Sequence, residues 1–247
     1  DLEIKGNALY KNRLMMLDIV ANNNWKRPIF FSPGAFDDED YLWMKNYLQL
    51  DGMIYKLVPV MTAIPENGSP LDMGQIDSDK MYANIMKWDW GNSDSDKIYH
   101  DPETRRESIT YRTNLSRLMD QLIKEGKMDK AKQVIDLAMK KMPLEKFGYY
   151  SLLEPFTRGY YQVEEKAKAQ ALLATLIGKY RENLNYYATL APSEQSSIAI
   201  DIITDIERYR GLLQVMIESG DSAFYNKNKV VFNTYITMFE RFGRKKE

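Results

Sequence analysis

Tyr111 to Pro143 reads YRTNLSRLMDQLIKEGKMDKAKQVIDLAMKKMP, and this stretch decides the fold. Leu115, Leu118, Met119, Leu122 and Ile123 recur at the spacing of one apolar helix face. Gly126 is placed to end that helix, because glycine takes positive φ without a steric penalty. Asp129 falls in the first turn of the next helix, where its charge suits the helix dipole. Ala131, Val134, Ile135, Ala138 and Met142 form a second apolar face, and Pro143 stops it. The unit from Arg112 to Glu145 is therefore predicted to be a helix–turn–helix hairpin.

Toward the carboxyl end the pattern returns less cleanly. Tyr149, Leu152, Leu153 and Phe156 take the early positions of a second unit, with Gly159 closing its first helix. Ala167, Ala171 and Ala174 supply the small-residue spacing of the second helix. Pro155 and a longer turn over Tyr160 to Glu165 depart from the first unit. Thr189 to Ser219 reads as one long helix lined by Ile198, Ile202, Ile203, Ile206, Tyr209 and Leu212. Gly220-Asp221-Ser222 breaks it, and a last helix over 223–242 carries Val230, Val231, Tyr235, Met238 and Phe239. Three hairpins in sequence make a short solenoid, in which each unit buries its apolar face on its neighbour.

The amino-terminal side reads differently. A helix over 7–22 carries Leu9, Leu14, Met15, Leu17, Ile19 and Val20, a broad stripe that predicts burial. Asn22, Asn23 and Asn24 end it. Ile29-Phe30-Phe31 favours a short strand with Pro28 at its start. Asp37 to Asp40 opens a second helix that carries Tyr41, Leu42, Met44, Tyr47 and Leu48 and stops near Gly52. Ile54 to Val60 is a second strand, so strand, helix and strand fit a parallel crossover. Trp25 and Trp43 are expected in the core that joins these elements. Thr62 to Gln75 is a loop, a short helix covers 76–87, and a polar loop covers 88–96. Asp101-Pro102-Glu103 starts a helix that runs straight into the repeat, so the two halves are expected to share one rigid element. The expected fold is α+β, mainly α. A small α/β segment over 1–100, with strands near 28–32 and 54–60, precedes a helical-hairpin array over 101–247.

Composition narrows the function classes. The 247 residues include 34 basic and 35 acidic side chains, a net charge of −1, so no one-signed field favours nucleic acid. The absence of cysteine excludes disulfides, thiol catalysis and cysteine-based zinc sites. No apolar run approaches the roughly 18 residues of a membrane span, and no signal peptide is visible. A chain that begins at Asp1 without Met reads as a piece of something longer, or as a mature form.

Two resemblances follow. The bulky early residues, Gly126, the small Ala131 and Ala138, and Pro143 make Arg112–Glu145 similar to a tetratricopeptide repeat. That resemblance implies a peptide-binding inner face on the first helix, presenting Thr113, Ser116, Asp120 and Lys124. Repeats that capture acidic carboxyl-terminal tails carry a basic residue and an amide where this chain has Ser116 and Asp120, which argues against that ligand. The second resemblance rests on Leu14 to Val20, on Asn22-Asn23-Asn24-Trp25-Lys26-Arg27-Pro28-Ile29-Phe30-Phe31, on Tyr47 to Gly52 and on Tyr55 to Val60. These resemble the soluble tail of a bacterial family of multi-spanning membrane proteins related to protein O-mannosyltransferases of the glycosyltransferase-C type. It implies an upstream membrane domain carrying the transferase chemistry, and a location on the extracytoplasmic, periplasmic side. No catalytic residue carries over to a position of this chain.

No catalytic constellation stands out. His100, the single histidine, lies near Asp94, Asp96 and Asp101, but the spacing lacks the glycine and closing glutamate of a calcium loop. A solvated loop with Asp101 capping the next helix is the simpler reading, and capping explains the acids of Asp37 to Asp40 as well. There is no glycine-rich phosphate loop and no serine nucleophile motif, and no cofactor or metal is expected. The tyrosines are the distinctive polar-tipped feature. Tyr149, Tyr150, Tyr160 and Tyr161, with Tyr180, Tyr186 and Tyr187, lie around the second unit. One reading is an aromatic-lined groove for a glycan or peptide, and the other is packing of large side chains between helices. The expected function is a noncatalytic accessory region of a membrane glycosyltransferase-like protein that binds an acceptor protein, a glycan or a partner subunit. The alternative is a free-standing protein–protein scaffold, and a third class is a hydrolase or transferase in its own right.

Overall fold

The computed structural model describes residues 8–32, 44–62 and 73–243. The chain is α+β and mainly α, and it divides into two compact units, 1–90 and 91–247.

In the first unit α1 (Lys11–Asn23) ends where Asn24 turns left-handed at φ 46°. It is followed by β1 (Phe30–Phe31), a 3-10 turn at Lys45–Tyr47, β2 (Leu48–Asp51), β3 (Ile54–Leu57), β4 (Gln75–Ile76) and α2 (Ser78–Ile85). The sheet order is β1-β3-β2-β4. β3 pairs antiparallel with both β1 and β2, and β2 pairs parallel with β4. Leu48 and Leu50 of β2 and Tyr55 and Leu57 of β3 point inward, where Met44, Met73, Met81 and Ile85 complete the core.

Several expectations are corrected here. No parallel crossover joins β1 to β3, since the two strands are antiparallel neighbours. The helix expected to run through Tyr47 and Leu48 gives way to the 3-10 turn and β2; its start at 37–43, with Trp43, lies outside the described residues. The reason is the period: Leu48-Gln49-Leu50-Asp51 alternates, and each leucine faces the core. Gly52 is not a helix stop. It is the first of two hairpin-turn residues between Asp51 and Ile54, with φ 68°, the position where a type II′ turn takes glycine. A Cβ there would lie 2.6 Å from Trp88 Cζ2, so both conformation and space demand glycine. The helix expected from residue 76 starts later, at Ser78, with Asp77 accepting from the Lys80 amide. α1 is not buried, because its apolar residues surround the helix instead of forming one stripe. Leu14, Met15 and Ile19 face out, and so does Trp25, which was expected in the core.

The second unit opens on a loop clamped to its own helices. Ser93 Oγ donates to the Lys141 carbonyl at 2.7 Å, Lys141 Nζ meets Asp94 at 3.0 Å, and Lys146 Nζ meets Asp96 at 2.8 Å. His100 lies here, 7% exposed, with Nε2 2.8 Å from the Ser93 carbonyl and its ring 4.3 Å from that of Phe147. The histidine is therefore buried, not solvated as expected, because Phe147 offers it a flat apolar face. Asp101 does cap α3 (Pro102–Lys124), accepting from the Thr104 amide at 2.9 Å. α3 lies in the second unit and runs without a break into the first hairpin.

After α3 come α4 (Met128–Lys141), α5 (Leu144–Phe147), a 3-10 turn at Tyr150–Leu153, α6 (Glu154–Gln162) and α7 (Lys166–Thr189). Then follow α8 (Pro192–Ser197), α9 (Ala199–Glu218), α10 (Ser222–Met238) and α11 (Glu240–Gly243). α3/α4, α6/α7 and α9/α10 are the three hairpins. Each turns by the same closure, in which two successive amides reach back to the preceding helix. Gly126 and Lys127 donate to Ile123 and Leu122, Glu164 and Glu165 to Tyr161 and Tyr160, and Gly220 and Asp221 to Ile217 and Met216. The pivot needs positive φ, which Gly126 and Gly220 take readily and Glu164 takes at 62°.

Gly159 therefore does not close its helix. It sits inside α6, buried, where a Cβ would overlap Met119 Sδ and lie 3.1 Å from Ile135 Cδ1. Its smallness lets α6 approach the first hairpin. Ala167, Ala171 and Ala174 are exposed, and α7 buries Ala169, Leu173, Leu176, Ile177, Tyr180 and Leu184 instead. The long helix expected from Thr189 is divided into α8 and α9 around Ile198. α10 buries Phe232 and Tyr235, whereas Val230 and Met238 are exposed.

Candidate functional site

One side-chain type recurs where the hairpins meet: a tyrosine hydroxyl donating to a carboxylate on another element. The α7 residues Tyr180, Asn183 and Tyr187 share a face by their spacing of three and four. Tyr180 is buried, and its hydroxyl donates in a short bond to Glu154 at the start of α6. Arg208 of α9 approaches the same carboxylate at 3.3 and 3.4 Å. Tyr150 packs edge-on against Tyr180, with ring centroids 5.1 Å apart. Asn183 Nδ2 bridges, donating to Tyr150 Oη and to Asp205 Oδ2 at 2.9 Å each, and Tyr187 donates to the same Asp205 oxygen at 3.2 Å.

Two further nodes have the same form. Tyr160, 4% exposed, donates to Asp136 of α4 at 2.9 Å, and Lys168 of α7 meets that carboxylate at 2.7 Å. Tyr161 donates to Asp221 at 2.8 Å, and Gln170 and Lys166 reach the same group at 2.6 and 3.0 Å. Asp221 is 3% exposed. Burial raises its carboxyl, but the bonds from Gln170, Lys166 and Tyr161 outweigh that and hold it below the ordinary range.

Burial is the leading cause that pushes the hydroxyls of Tyr150, Tyr160, Tyr161, Tyr180 and Tyr187 up from the ordinary tyrosine value. For the last four the bonded carboxylate adds to it. All five are neutral at physiological pH, and the last four donate to carboxylates. Asp205 is also raised, chiefly by burial, with Asn183 and Tyr187 acting against it.

The tyrosines singled out from the sequence do not converge on one place. Tyr150 belongs to the Asp205 node, Tyr160 to Asp136 and Tyr161 to Asp221. Tyr149 stands beside the first of these, left-handed at φ 49° and 42% exposed. On α3, Thr113 is half-buried, Ser116 is buried, and Asp120 and Lys124 are exposed. Among the described residues no hydrogen bond joins these four to the tyrosines. The sequence reading missed Asn183, Asp205, Glu154 and Arg208. Asp205 carried a visible signal, since it interrupts the apolar stripe of Ile202, Ile206 and Tyr209. Among the described residues no three histidine or carboxylate side chains gather as a metal site, and no helix is long and apolar enough to cross a membrane.

No curated protein and no solved structure matches the chain. Residues 1–80 match the family model described as TMEM260-associated domain 2, a family linked to a membrane protein.

Proposed function

We propose that the chain is a noncatalytic interaction region of a membrane glycosyltransferase-like protein, and that it holds an acceptor protein, a glycan or a partner subunit on the extracytoplasmic side. The hairpin array is the observation that carries this reading. Stacked hairpins give an extended surface, which is how repeat arrays, tetratricopeptide-like ones among them, present binding faces. The match of the first 80 residues to a membrane-linked family supports the attachment to a membrane domain. That match stops before the array, which favours a second reading, a protein–protein scaffold with no sugar connection.

The reading frame upstream of Asp1 tests the attachment. A series of apolar spans is expected, and a start codon or a cleaved signal directly before Asp1 would overturn it. With spans present, sugar transfer to acceptor protein is compared with and without residues 91–247. Loss of transfer on deletion is expected, while undiminished transfer assigns the array another role.

A further inference from the structure

The tyrosine–carboxylate nodes of the second unit share a third member, a cation. Asp136 has Lys168, Asp221 has Lys166 and Glu154 has Arg208. Asp205 breaks the pattern. It is 8% exposed, and among the described residues no lysine, arginine or histidine forms an ion pair with it. Arg208, one helical turn further along α9, is turned to Glu154. Both bonds to Asp205, from Asn183 and Tyr187, end on Oδ2. Tyr150 Oη accepts from Asn183 and donates to no described residue. The tyrosines at this node, Tyr150 and Tyr187, are half-buried, so neither side chain is sealed from solvent.

Arg208 acts on Asp205 only through space, without an ion pair, and a buried carboxylate is favoured further by a cation in direct contact. A primary ammonium meets the requirements together. Its three N–H donors match Oδ1 of Asp205 and the neighbouring hydroxyl oxygens, and its charge is attracted to tyrosine faces. We propose that the Asp205 node is a binding subsite for a primary ammonium group, completed by Tyr150, Asn183 and Tyr187. This rests on the reading of the array as an interaction region and names the group it would take from a partner. Burial raises the Asp205 carboxyl, and a bound cation would act in the opposite direction.

The probes are Nα-acetyl-lysine amide, its Nε-acetylated form and putrescine, titrated into the 15N-labelled chain. The signal is the Asn183 side-chain amide. Saturable shifts are expected from Nα-acetyl-lysine amide, with a dissociation constant on the order of 1 mM, and none from the neutral acetylated form. A response to putrescine alone also supports an ammonium subsite and points to a free amine as its source. Asp205→Asn keeps the shape and the acceptor for Asn183 and Tyr187, so the fold is retained, and it should weaken binding at least tenfold. Tyr187→Phe provides a second variant, with weaker binding at unchanged net charge. No shift from either amine, an equal shift from the acetylated form, or full binding by folded Asp205→Asn overturns the proposal. If deletion of 91–247 abolishes sugar transfer while Asp205→Asn leaves transfer and amine binding intact, the subsite falls and the interaction reading stands.

Discussion

Arg112 is a fully buried arginine whose partners are all backbone carbonyls. Its guanidinium donates to Gly148 at 2.5 Å, to Met142 at 2.8 Å and, more weakly, to Tyr149 at 3.4 Å. It thereby fixes the end of α4 and the loop after α5 to the middle of α3. Two opposing contributions decide what it does for stability. Burial lowers its pKa from the ordinary arginine value to about 10. At about 1.4 kcal/mol per unit, that places the cost of holding the charge inside near 3 kcal/mol. Against this, each stranded carbonyl would cost about 1–3 kcal/mol. Arg112→Met removes the charge but strands Gly148 and Met142 and empties part of the site, for a net loss of about 2 kcal/mol. Arg112→Lys keeps a charge to bury, while its ammonium cannot span carbonyls that the planar fork reaches from two nitrogens. It should lose about 3–4 kcal/mol, more than the apolar replacement. Urea unfolding followed by circular dichroism separates the cases, with a midpoint shift of roughly 1 M for Met and more for Lys. The linkage has a definite sign. The folded pKa is depressed, so the folded chain releases the proton first, and the wild type gains on Arg112→Met as pH rises from about 10 toward the ordinary arginine value. A Met variant as stable as wild type, or a Lys variant better than Met, would refute the reasoning.

Three more outcomes follow from the array. Glu164→Gly should raise stability by about 0.5–1 kcal/mol in the same unfolding assay, since glycine takes the left-handed pivot without the Cβ penalty. Gly159→Ala should lower it by about 1–3 kcal/mol, because the added methyl meets the buried Met119 and Ile135. The tyrosines set an alkaline limit. Tyr209 is pushed up to about 12 by burial, and Tyr150, Tyr160, Tyr161, Tyr180 and Tyr187 are raised too. Groups held neutral in the fold stabilise it fully below the unfolded value near 10, and that stability is lost as pH climbs through the folded values. Melting temperature should fall steadily above pH 10, and Tyr160→Phe should make the fall shallower; an unchanged slope would count against it.

The first hairpin was legible in the sequence because its two apolar faces keep helical period on both sides of a glycine that does what a helix-ending glycine should. The second was legible only in outline. Gly159 looks like Gly126 in the sequence, yet one is a packing contact and the other a pivot, and the real pivot is a glutamate that no propensity would nominate. The small-residue spacing of Ala167, Ala171 and Ala174 fell on the exposed side of α7, since Leu173, Leu176 and Tyr180 have the stronger claim to burial. β2 was hidden by length: four alternating residues following helix-like spacing are too short to announce a strand. The Asp205 node was half visible. An acid among isoleucines marks an unusual position, but its partners Asn183 and Tyr187 lie on α7, a pairing that only tertiary structure supplies.

Asp221 begins α10, and its carboxylate is held by Tyr161, Lys166 and Gln170 of the hairpin before. A solenoid ordinarily frays from its end, one repeat at a time. Here the last hairpin is moored at its turn, so peeling it away would strip a buried carboxylate of three partners together. Amide exchange around Gly220 and Asp221 should then proceed at the pace of α6 and α7, with early opening confined to the far end of α10 and to α11. The array would behave as one cooperative block with a loose rim, well suited to transmit a pull on its last hairpin back to its middle.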